Sequence, residues 1–319
     1  MVLVTGGAGF IGSWIVDKTA FHEAEKIVVV DNLFSGRMEN LADAKNNIGN
    51  RLKVYRKDAI DYDSFKEIFR KEGEIDVVFN LAAKPLFVSF VDPMDVFQTP
   101  TKIALNLLEI QRAGLFKTLI HFSSSEAYGS AEYVPMDEKH PLRPTTPYGA
   151  GKAAADHLVM SYHKSYGNDV TIIRPFNNFG PRQNEKTYAG VVPTTIVKIL
   201  NGESPVIFGN GNQTRDFIYV EDTAEAAPRV YETKATRGKI LNIGQRKETR
   251  IYDLVRTIMK IMGCRTRIIY DKPRVGDVER HCADVSLAKK LIGFSTKTSL
   301  KQGLKKTVSW YTNKHSDPK

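Results

Sequence analysis

A tyrosine and a lysine near the middle of the chain have the types and the spacing needed to move a proton. Tyr148 and Lys152 are four residues apart, and Thr146 followed by Pro147 predicts that a helix starts just before them, with the threonine as its cap. On such a helix the two side chains lie on one face. A phenol has an unperturbed pKa of about 10, so it acts as a base at neutral pH only with help, for example from a neighbouring ammonium group.

A cluster of hydroxyl groups precedes this helix, at the end of a buried strand predicted over 118–123. Ser123, Ser124 and Ser125 are followed by Glu126, and a positioned serine hydroxyl can share the proton that a tyrosine moves. Oxidation of a sugar alcohol by hydride transfer needs such a base beside a nicotinamide ring. A tyrosine and a lysine at this spacing are more often an ordinary exposed helix pair, so this chemistry needs a second signal.

The second signal is a glycine motif near the start of the chain. Gly7, Gly9 and Gly12 satisfy G-x-G-x-x-G between a short apolar strand and an amphipathic run. In that setting the glycines permit a tight turn and let a pyrophosphate approach the helix N-terminus. The next strand ends in Asp31, where a carboxylate would bind a ribose 2′-hydroxyl and would repel a 2′-phosphate. The pattern therefore favours NAD over NADP.

Strands alternate with helical segments through the first half of the chain. The predicted strands are 2–5, 26–30, 52–56, 76–83, 118–123 and 170–175, and the predicted helices include 11–20, 62–71 and 94–113. Such alternation predicts a doubly wound parallel sheet with right-handed crossovers. Because the pattern changes after Pro175, we predict a first domain over 1–175. A second domain is predicted mainly over 176–319, with later segments returning to the first.

The tyrosine–lysine pair, the hydroxyl cluster and the glycine motif together resemble the signature of the extended short-chain dehydrogenase/reductase family, in its UDP-glucose 4-epimerase-like, nucleotide-sugar epimerase/dehydratase branch. The resemblance runs to about Trp310. It implies an α/β fold, with a doubly wound Rossmann domain and a smaller mixed α/β substrate domain. It also implies NAD as cofactor, a nucleotide-diphosphate sugar as substrate, UDP-linked by preference, and a homodimer. Within it, Tyr148 is the base, Lys152 its activator and Ser124 the hydroxyl partner.

The resemblance also implies which residues bind the cofactor and the substrate. For NAD these are Gly6, Gly7, Gly9, Phe10, Ile11, Gly12, Asp31, Asn32, Ser35, Gly36, Asp58, Ala59, Leu81, Ala82, Ala83, Tyr148, Lys152 and Pro175. For the sugar nucleotide they are Lys84, Ser124, Asn177, Val192, Phe208, Arg215, Arg274 and Asp277. The two arginines suit a diphosphate, because a guanidinium group can bind phosphate with two hydrogen bonds.

Three positions depart from the pattern of the family. Relatives usually carry histidine where this chain has Asn80, and asparagine at about the position of Pro100, within the predicted helix 94–113. Gly151 stands where relatives often have serine. A proline inside a helix removes a hydrogen bond and kinks the chain.

The reaction that follows the first oxidation depends on residues 125 and 126. In this family a 4-keto sugar forms first, and epimerisation, 4,6-dehydration or, with a C6 carboxylate, decarboxylation can follow. Glu126 resembles the base of the dehydratases, but their preceding acid is replaced here by Ser125, a poor proton donor. Ser-Glu also resembles the decarboxylases, which usually carry serine where this chain has Asp216.

We therefore include Glu126 and Ser125 among the candidate catalytic residues and predict a C4 epimerase. A 4,6-dehydratase or a UDP-glucuronate-type decarboxylase that uses Glu126 as base is the alternative. In an epimerase, Glu126 would serve only as a structural hydrogen-bonding group.

Composition and charge indicate whether the chain could bind nucleic acid, span a membrane or be secreted. The net charge of +10 and the pI of about 9.4 invite nucleic-acid binding, but the basic residues are spread along the chain, and a Rossmann protein that binds RNA without chemistry is the less favoured alternative. No apolar run approaches the roughly 18 residues of a membrane span, and Met1 leads directly into the first strand, leaving no room for a signal peptide. Cys264 and Cys282 lack metal-like spacing and suit the reducing cytoplasm, and no metal is expected.

Overall fold

The computed structural model describes residues 1–21, 24–186 and 189–316. The strands are β1 (Val2–Thr5), β2 (Ile27–Val30), β3 (Leu52–Tyr55), β4 (Ile75–Asn80), β5 (Phe116–Phe122), β6 (Asp169–Pro175), β7 (Asn177–Phe179), β8 (Val206–Phe208), β9 (Thr214–Tyr219), β10 (Ile240–Ile243), β11 (Glu248–Arg250) and β12 (Ile269–Asp271). The α-helices are α1 (Phe10–Phe21), α2 (Ala42–Ile48), α3 (Tyr62–Glu72), α4 (Pro93–Arg112), α5 (Pro147–Tyr166), α6 (Val191–Leu200), α7 (Val220–Glu232), α8 (Ile251–Ile261), α9 (Ser286–Ile292) and α10 (Leu300–Ser316).

A seven-stranded parallel sheet forms the larger part of the molecule. Its strand order is β10-β6-β5-β4-β1-β2-β3, and each neighbouring pair is parallel. The order reverses between β1 and β4, where successive crossovers leave in opposite directions and open a crevice at the carboxyl ends of the strands. The predicted doubly wound sheet is confirmed. β10 joins the sheet from beyond residue 175, so later chain does return to it, while the boundary itself stays a prediction.

Both faces of this sheet are covered, which explains its continuous apolar strands. All four residues of β2 are buried, as expected where helices pack on both sides of a parallel sheet. Val29 joins the core on one face with α1, α2, α7 and α9, whereas Val28 joins the core on the other with α3, α4 and α5. The alternation follows from the two-residue period of a strand.

A smaller part is built from short strands and three helices. β9 lies between β7, to which it is parallel, and β11, to which it is antiparallel, while β8 pairs with β12. A separate core joins α6, α8 and α10 to β7, β8 and β9. This is the mixed α/β arrangement that was predicted for the substrate side.

The helices α4 and α5 pack closely at two of the departures from the family pattern. A Cβ added to Gly151 would lie 2.7 Å from the Phe97 carbonyl oxygen and 3.1 Å from Cγ of Pro100. The missing side chain at Gly151 therefore leaves space for the Phe97 backbone and for the proline ring. The two departures are in contact, and α4 continues through Pro100.

One strand is shorter than expected. β4 was predicted to run to Ala83 but ends at Asn80. Beyond it, the Thr5 hydroxyl oxygen accepts hydrogen bonds from the N–H groups of Leu81 (3.2 Å) and Ala82 (3.3 Å). This side-chain cap takes over the donors of a continued strand and turns the chain across the crevice. Across the described part of the chain, no helix is long and apolar enough to cross a membrane.

Candidate active site

The tyrosine–lysine helix starts where the sequence places it. The Thr146 hydroxyl accepts a hydrogen bond from the Gly149 N–H (3.1 Å), and Pro147 is the first helical residue. Tyr148 follows directly and Lys152 one turn later, and both side chains line the crevice at the carboxyl ends of the sheet strands. The Lys152 ammonium is buried and donates to the Phe122 carbonyl oxygen (2.8 Å), which fixes its position beneath the crevice.

That Lys152 activates Tyr148 stays a prediction, and in the free protein burial is the largest influence on the pKa of the phenol. Burial raises the pKa of Tyr148 to about 12, a hydrogen bond with Ser124 opposes the rise, and the charge of Glu126 adds to it. Burial also lowers the pKa of Lys152 to about 8. The physical reason is that both groups leave water together, and desolvation favours the neutral form of each. The resting tyrosine is therefore a phenol at neutral pH.

The glycine turn forms a cradle into which no side chain would fit. A Cβ on Gly12 would lie 2.2 Å from the Gly6 carbonyl oxygen, and one on Gly6 would lie 2.9 Å from the Ala82 nitrogen. Of the residues predicted to bind the cofactor, those that line the crevice are Gly6, Gly9, Phe10, Ile11, Gly12, Asp31, Asn32, Ser35, Asp58, Ala59, Leu81, Ala82, Ala83, Tyr148, Lys152 and Pro175.

Two of the predicted cofactor residues do not line the crevice. Gly7 faces the sheet, where an added Cβ would meet the Val29 side chain at 2.9 Å, and Gly36 faces the Asp31 carboxylate, where it would meet an oxygen at 2.8 Å. Both glycines are needed for close packing that shapes the site. Lining residues that the sequence analysis missed include Lys57, Ile60, Thr99 and Ile103, which carry no local signal in the sequence.

Asp31 is held in place to meet a ribose. Its carboxylate oxygens accept hydrogen bonds from the N–H groups of Ala8 (3.0 Å) and Leu33 (2.8 Å), and burial raises its pKa. Beside it, the Asn32 amide donates to Asp58 (2.9 Å). The cradle, the adjacent carboxylate and the small residues after β4 fit a dinucleotide with a free ribose 2′-hydroxyl.

A second cavity adjoins the first and contains most of the predicted substrate residues. It is lined by Glu126, Asn177, Phe208, Arg215, Arg274 and Asp277, by Val191, next to the predicted Val192, and by Leu86, Phe87 and Phe90, which the sequence did not indicate. Arg215 pairs with Asp277. Among the described residues, the Asn177 side-chain oxygen is buried without a hydrogen-bond partner, so it is free to accept a bond from a ligand hydroxyl.

Two aromatic rings enclose one of the arginines. The Arg274 guanidinium lies 4.1 Å from the ring centre of Phe208 and 4.5 Å from that of Phe87. Burial lowers the pKa of Arg274, and the neighbouring Asp277 opposes that shift. Phe87 precedes α4 and Phe208 ends β8, so the arginine joins the two parts of the molecule at the mouth of the cavity.

Four predicted residues lie elsewhere than expected, and one of them, Ser124, lines neither cavity although its hydroxyl is hydrogen-bonded to Tyr148. Val192 is buried in the core of the smaller part, because the helical turn directs Val191 to the cavity instead. Lys84 lines the cofactor crevice and pairs with Asp95 (3.4 Å), so it is placed with the cofactor residues. Ser125 is 2% exposed and lines neither cavity, and its hydroxyl faces Nδ1 of His281 (3.4 Å).

Ser124 and Glu126 lie on the two sides of Tyr148. The Ser124 hydroxyl accepts from the Glu126 N–H (3.2 Å) and is hydrogen-bonded to the phenol. Burial raises the pKa of Glu126, the charge of Arg215 lowers it and that of Asp277 raises it. Across the described residues, no group of histidine, cysteine and carboxylate side chains could hold a metal ion.

Known proteins match this chain along almost its whole length. A family model described as GDP-mannose 4,6-dehydratase matches residues 3–307. The chain belongs to the extended short-chain dehydrogenase/reductase family. The predicted family and its enzyme class are thereby confirmed.

The relatives within this family are named for different activities. A protein of Methanocaldococcus jannaschii, provisionally named UDP-glucose 4-epimerase, is 38% identical over 314 residues, which are 98% of this chain and 99% of the relative. The UDP-glucose 4-epimerase of Thermotoga maritima, solved with UDP-glucose, is 33% identical, with a TM-score of 0.92 and coverage of 99% of both chains. A dTDP-glucose 4,6-dehydratase of Streptomyces venezuelae, solved with NAD, is 28% identical, with a TM-score of 0.92 and coverage of 98% and 97%.

Proposed function

We propose that the protein is an NAD-dependent C4 epimerase of a UDP-linked sugar. The dinucleotide supplies the hydride acceptor. Tyr148 first loses its own proton to solvent, and the resulting phenolate accepts the proton of the sugar C4 hydroxyl, which Ser124, hydrogen-bonded to Tyr148, shares. Lys152 holds a positive charge beneath the crevice, and Arg215 and Arg274 bind the diphosphate.

The burial of Ser125 is the observation that carries the choice of reaction. Dehydration must expel a hydroxyl group, and an acid beside Glu126 would have to protonate it. Ser125 lies outside the cavity, and the buried Nε2 of His281 is already engaged with the Gly129 carbonyl oxygen (2.7 Å). Glu126 is therefore left as a base without the acid that dehydration needs, and return of the hydride to the other face of the 4-keto sugar is the favoured outcome.

Decarboxylation has less support from the residues of this site. At the position where decarboxylases usually carry serine, Asp216 is fully buried and accepts hydrogen bonds from the N–H groups of Gln245 (2.7 Å), Arg246 (2.8 Å) and Ala283 (2.9 Å). Its hydrogen bonds hold two backbone segments, at 245–246 and at 283, to β9, and it lines neither cavity.

Incubation of the cofactor-loaded protein with UDP- and dTDP-linked hexoses, including a UDP-uronic acid, tests the proposal. Mass spectrometry and NMR of the sugar nucleotides then distinguish the three reactions. We expect an unchanged mass with a new C4 configuration. Loss of water would identify a dehydratase, and loss of carbon dioxide would identify a decarboxylase.

The substitution Glu126→Gln separates the same reactions by rate. For an epimerase we expect kcat to stay within about tenfold of the wild-type value, because no proton moves through residue 126. For a dehydratase or decarboxylase, removal of a general base costs about 10²- to 10⁴-fold. A loss of that size, with UDP binding retained, would contradict the epimerase assignment.

We also propose that the protein is a homodimer formed through the outer face of α4 and the segment before it. Val91 and Met94 are 70% and 69% exposed, and Phe90, Phe97 and Leu105 continue the apolar surface. Apolar surface of this kind marks an interaction site more often than chance exposure does. The helices α4 and α5 are also those through which family members commonly dimerise.

Charge introduced into this face is expected to separate the dimer. The double variant Val91→Asp/Met94→Asp should elute as a monomer and scatter light as one, because like charges would be buried unpaired in the interface. Tyr270→Lys, at a position 54% exposed on β12, is the matched control and should stay dimeric. A wild-type protein that is monomeric at micromolar concentration would refute the proposal.

The cytoplasmic location stays a prediction.

A further inference from the structure

A chain of buried polar groups runs beneath the crevice, from β1 to α5. The Thr5 hydroxyl donates to the Asn80 side-chain oxygen (2.7 Å), and the Asn80 amide contacts Nδ1 of His121 (3.0 Å). At the other end, the Asp156 carboxylate accepts from the Ser123 hydroxyl (2.7 Å) and from Nε of Arg174 (2.8 Å). All six side chains are buried, so each contact is made away from water.

The contacts fix the direction of the hydrogen bonds. Because the oxygen of the Asn80 amide accepts from Thr5, its nitrogen donates to Nδ1 of His121, which leaves the ring hydrogen on Nε2. That nitrogen is 3.8 Å from Oδ1 of Asp156. Burial, with repulsion from Lys152 and Arg174, lowers the pKa of His121 to about 3. His121 therefore contributes a neutral donor that faces Asp156.

Asp156 is the one carboxylate between two buried cations in this chain of groups. Lys152 is one helical turn before it on α5, and Arg174 lies across from it on β6. Burial lowers the pKa of Lys152, and the charge of Asp156 opposes that shift. Burial raises the pKa of Asp156 while Arg174 lowers it, and beside a guanidinium the ionised carboxylate is the stable form.

We propose that Asp156 is a positioning residue that offsets the charge of Arg174, so that Lys152 remains an ammonium next to Tyr148. Lys152 shares its helix with Tyr148 and Asp156, its charge acts on His121 of β5, and Arg174 of β6 pairs with Asp156. With His121 neutral, these groups and Lys152 carry one net positive charge while Tyr148 is protonated. Formation of the phenolate cancels that charge, which favours the proton transfer on which the proposed function rests.

The unusual residue Asn80 contributes to this arrangement. An amide carries its acceptor and its donor on different atoms and does not titrate in water, so it sets the tautomer of His121 at any working pH. Asn80 thus keeps the ring hydrogen of His121 on Nε2, the nitrogen that faces Asp156.

Three charge variants test the role of Asp156, with the titration of Lys152 as the direct readout. The probe is the ¹³C NMR signal of ε-labelled lysine, assigned by its absence in Lys152→Arg. In Asp156→Asn the midpoint should fall by about one pH unit or more, because the charge of Arg174 is no longer offset. In Arg174→Gln it should rise. In the double variant, which leaves neither charge unpaired, it should return toward the wild-type value.

The series stays informative if Asp156→Asn fails to fold, because the double variant can be compared with Arg174→Gln. Equal midpoints in these two proteins would overturn the proposal, as would an unmoved midpoint in a folded Asp156→Asn protein that has only lost thermal stability. The pH dependence of kcat separates this result from the function itself. Its alkaline limb should follow the Lys152 midpoint and should be absent from Lys152→Arg. If the alkaline limb persisted in Lys152→Arg, the catalytic role of Lys152 would be refuted. The effect of Asp156 on the titration midpoint of Lys152 would still stand.

Discussion

Replacing Tyr148 by phenylalanine should lower kcat by about 10²- to 10⁴-fold, the usual contribution of a general base. The phenol contacts Ser124 and lines the crevice beside Lys152, whereas the neighbouring Glu126 carboxylate lines the second cavity. The ring itself remains, so packing against the crevice and the affinity for UDP should change little. Steady-state turnover and calorimetric titration with UDP measure the two effects separately.

Tyr166→Phe is the matched control for this substitution. Tyr166 ends the same helix, its side chain is 61% exposed, and it lines neither cavity. We expect wild-type turnover from the control. If Tyr148→Phe also retained full activity, the assignment of the base, and with it the proposed reaction, would be wrong.

The second large effect is expected from Gly12→Ala. The new methyl group would lie 2.2 Å from the Gly6 carbonyl oxygen and 3.0 Å from Cα of Gly7, distances that only a shift of the backbone can relieve. Because that backbone forms the turn on which a pyrophosphate would rest, we expect the affinity for NAD to fall at least about tenfold, or about 1.4 kcal/mol. Fluorescence titration and the amount of nucleotide that copurifies measure it.

Gly263→Asn controls for the loss of a glycine as such. Gly263 has a φ of +66° and open space around its Cα, and asparagine tolerates the left-handed conformation better than most residues. Its NAD affinity should match the wild-type value. Normal NAD binding by a folded Gly12→Ala protein would show that the glycine turn does not form the pyrophosphate site.

Features that depend on neighbouring residues were predictable from the sequence. The cap at Thr146, the proline at the first helical position and the spacing of Tyr148 and Lys152 are local, because a helix start is set by hydrogen bonds within four residues. The parallel sheet was predictable for a similar reason, since the apolar strands and the helical periods between them repeat along the chain. The glycine motif was predictable on both grounds, from the local spacing of its glycines and from its position between a strand and a helix.

Features that depend on contacts between distant residues came only from the tertiary structure. Ser125 has the same sequence signal as Ser124, but its hydroxyl faces His281, 156 residues away, whereas that of Ser124 is hydrogen-bonded to Tyr148. Val191 and Val192 differ only in which way a helix turns them. The pKa of Tyr148 depends on burial that no local pattern records. The sequence by itself determined the fold and the identities of the reactive groups, whereas the surroundings that set their charge and direction were decided by long-range packing, because desolvation and electrostatics act through space and not along the chain.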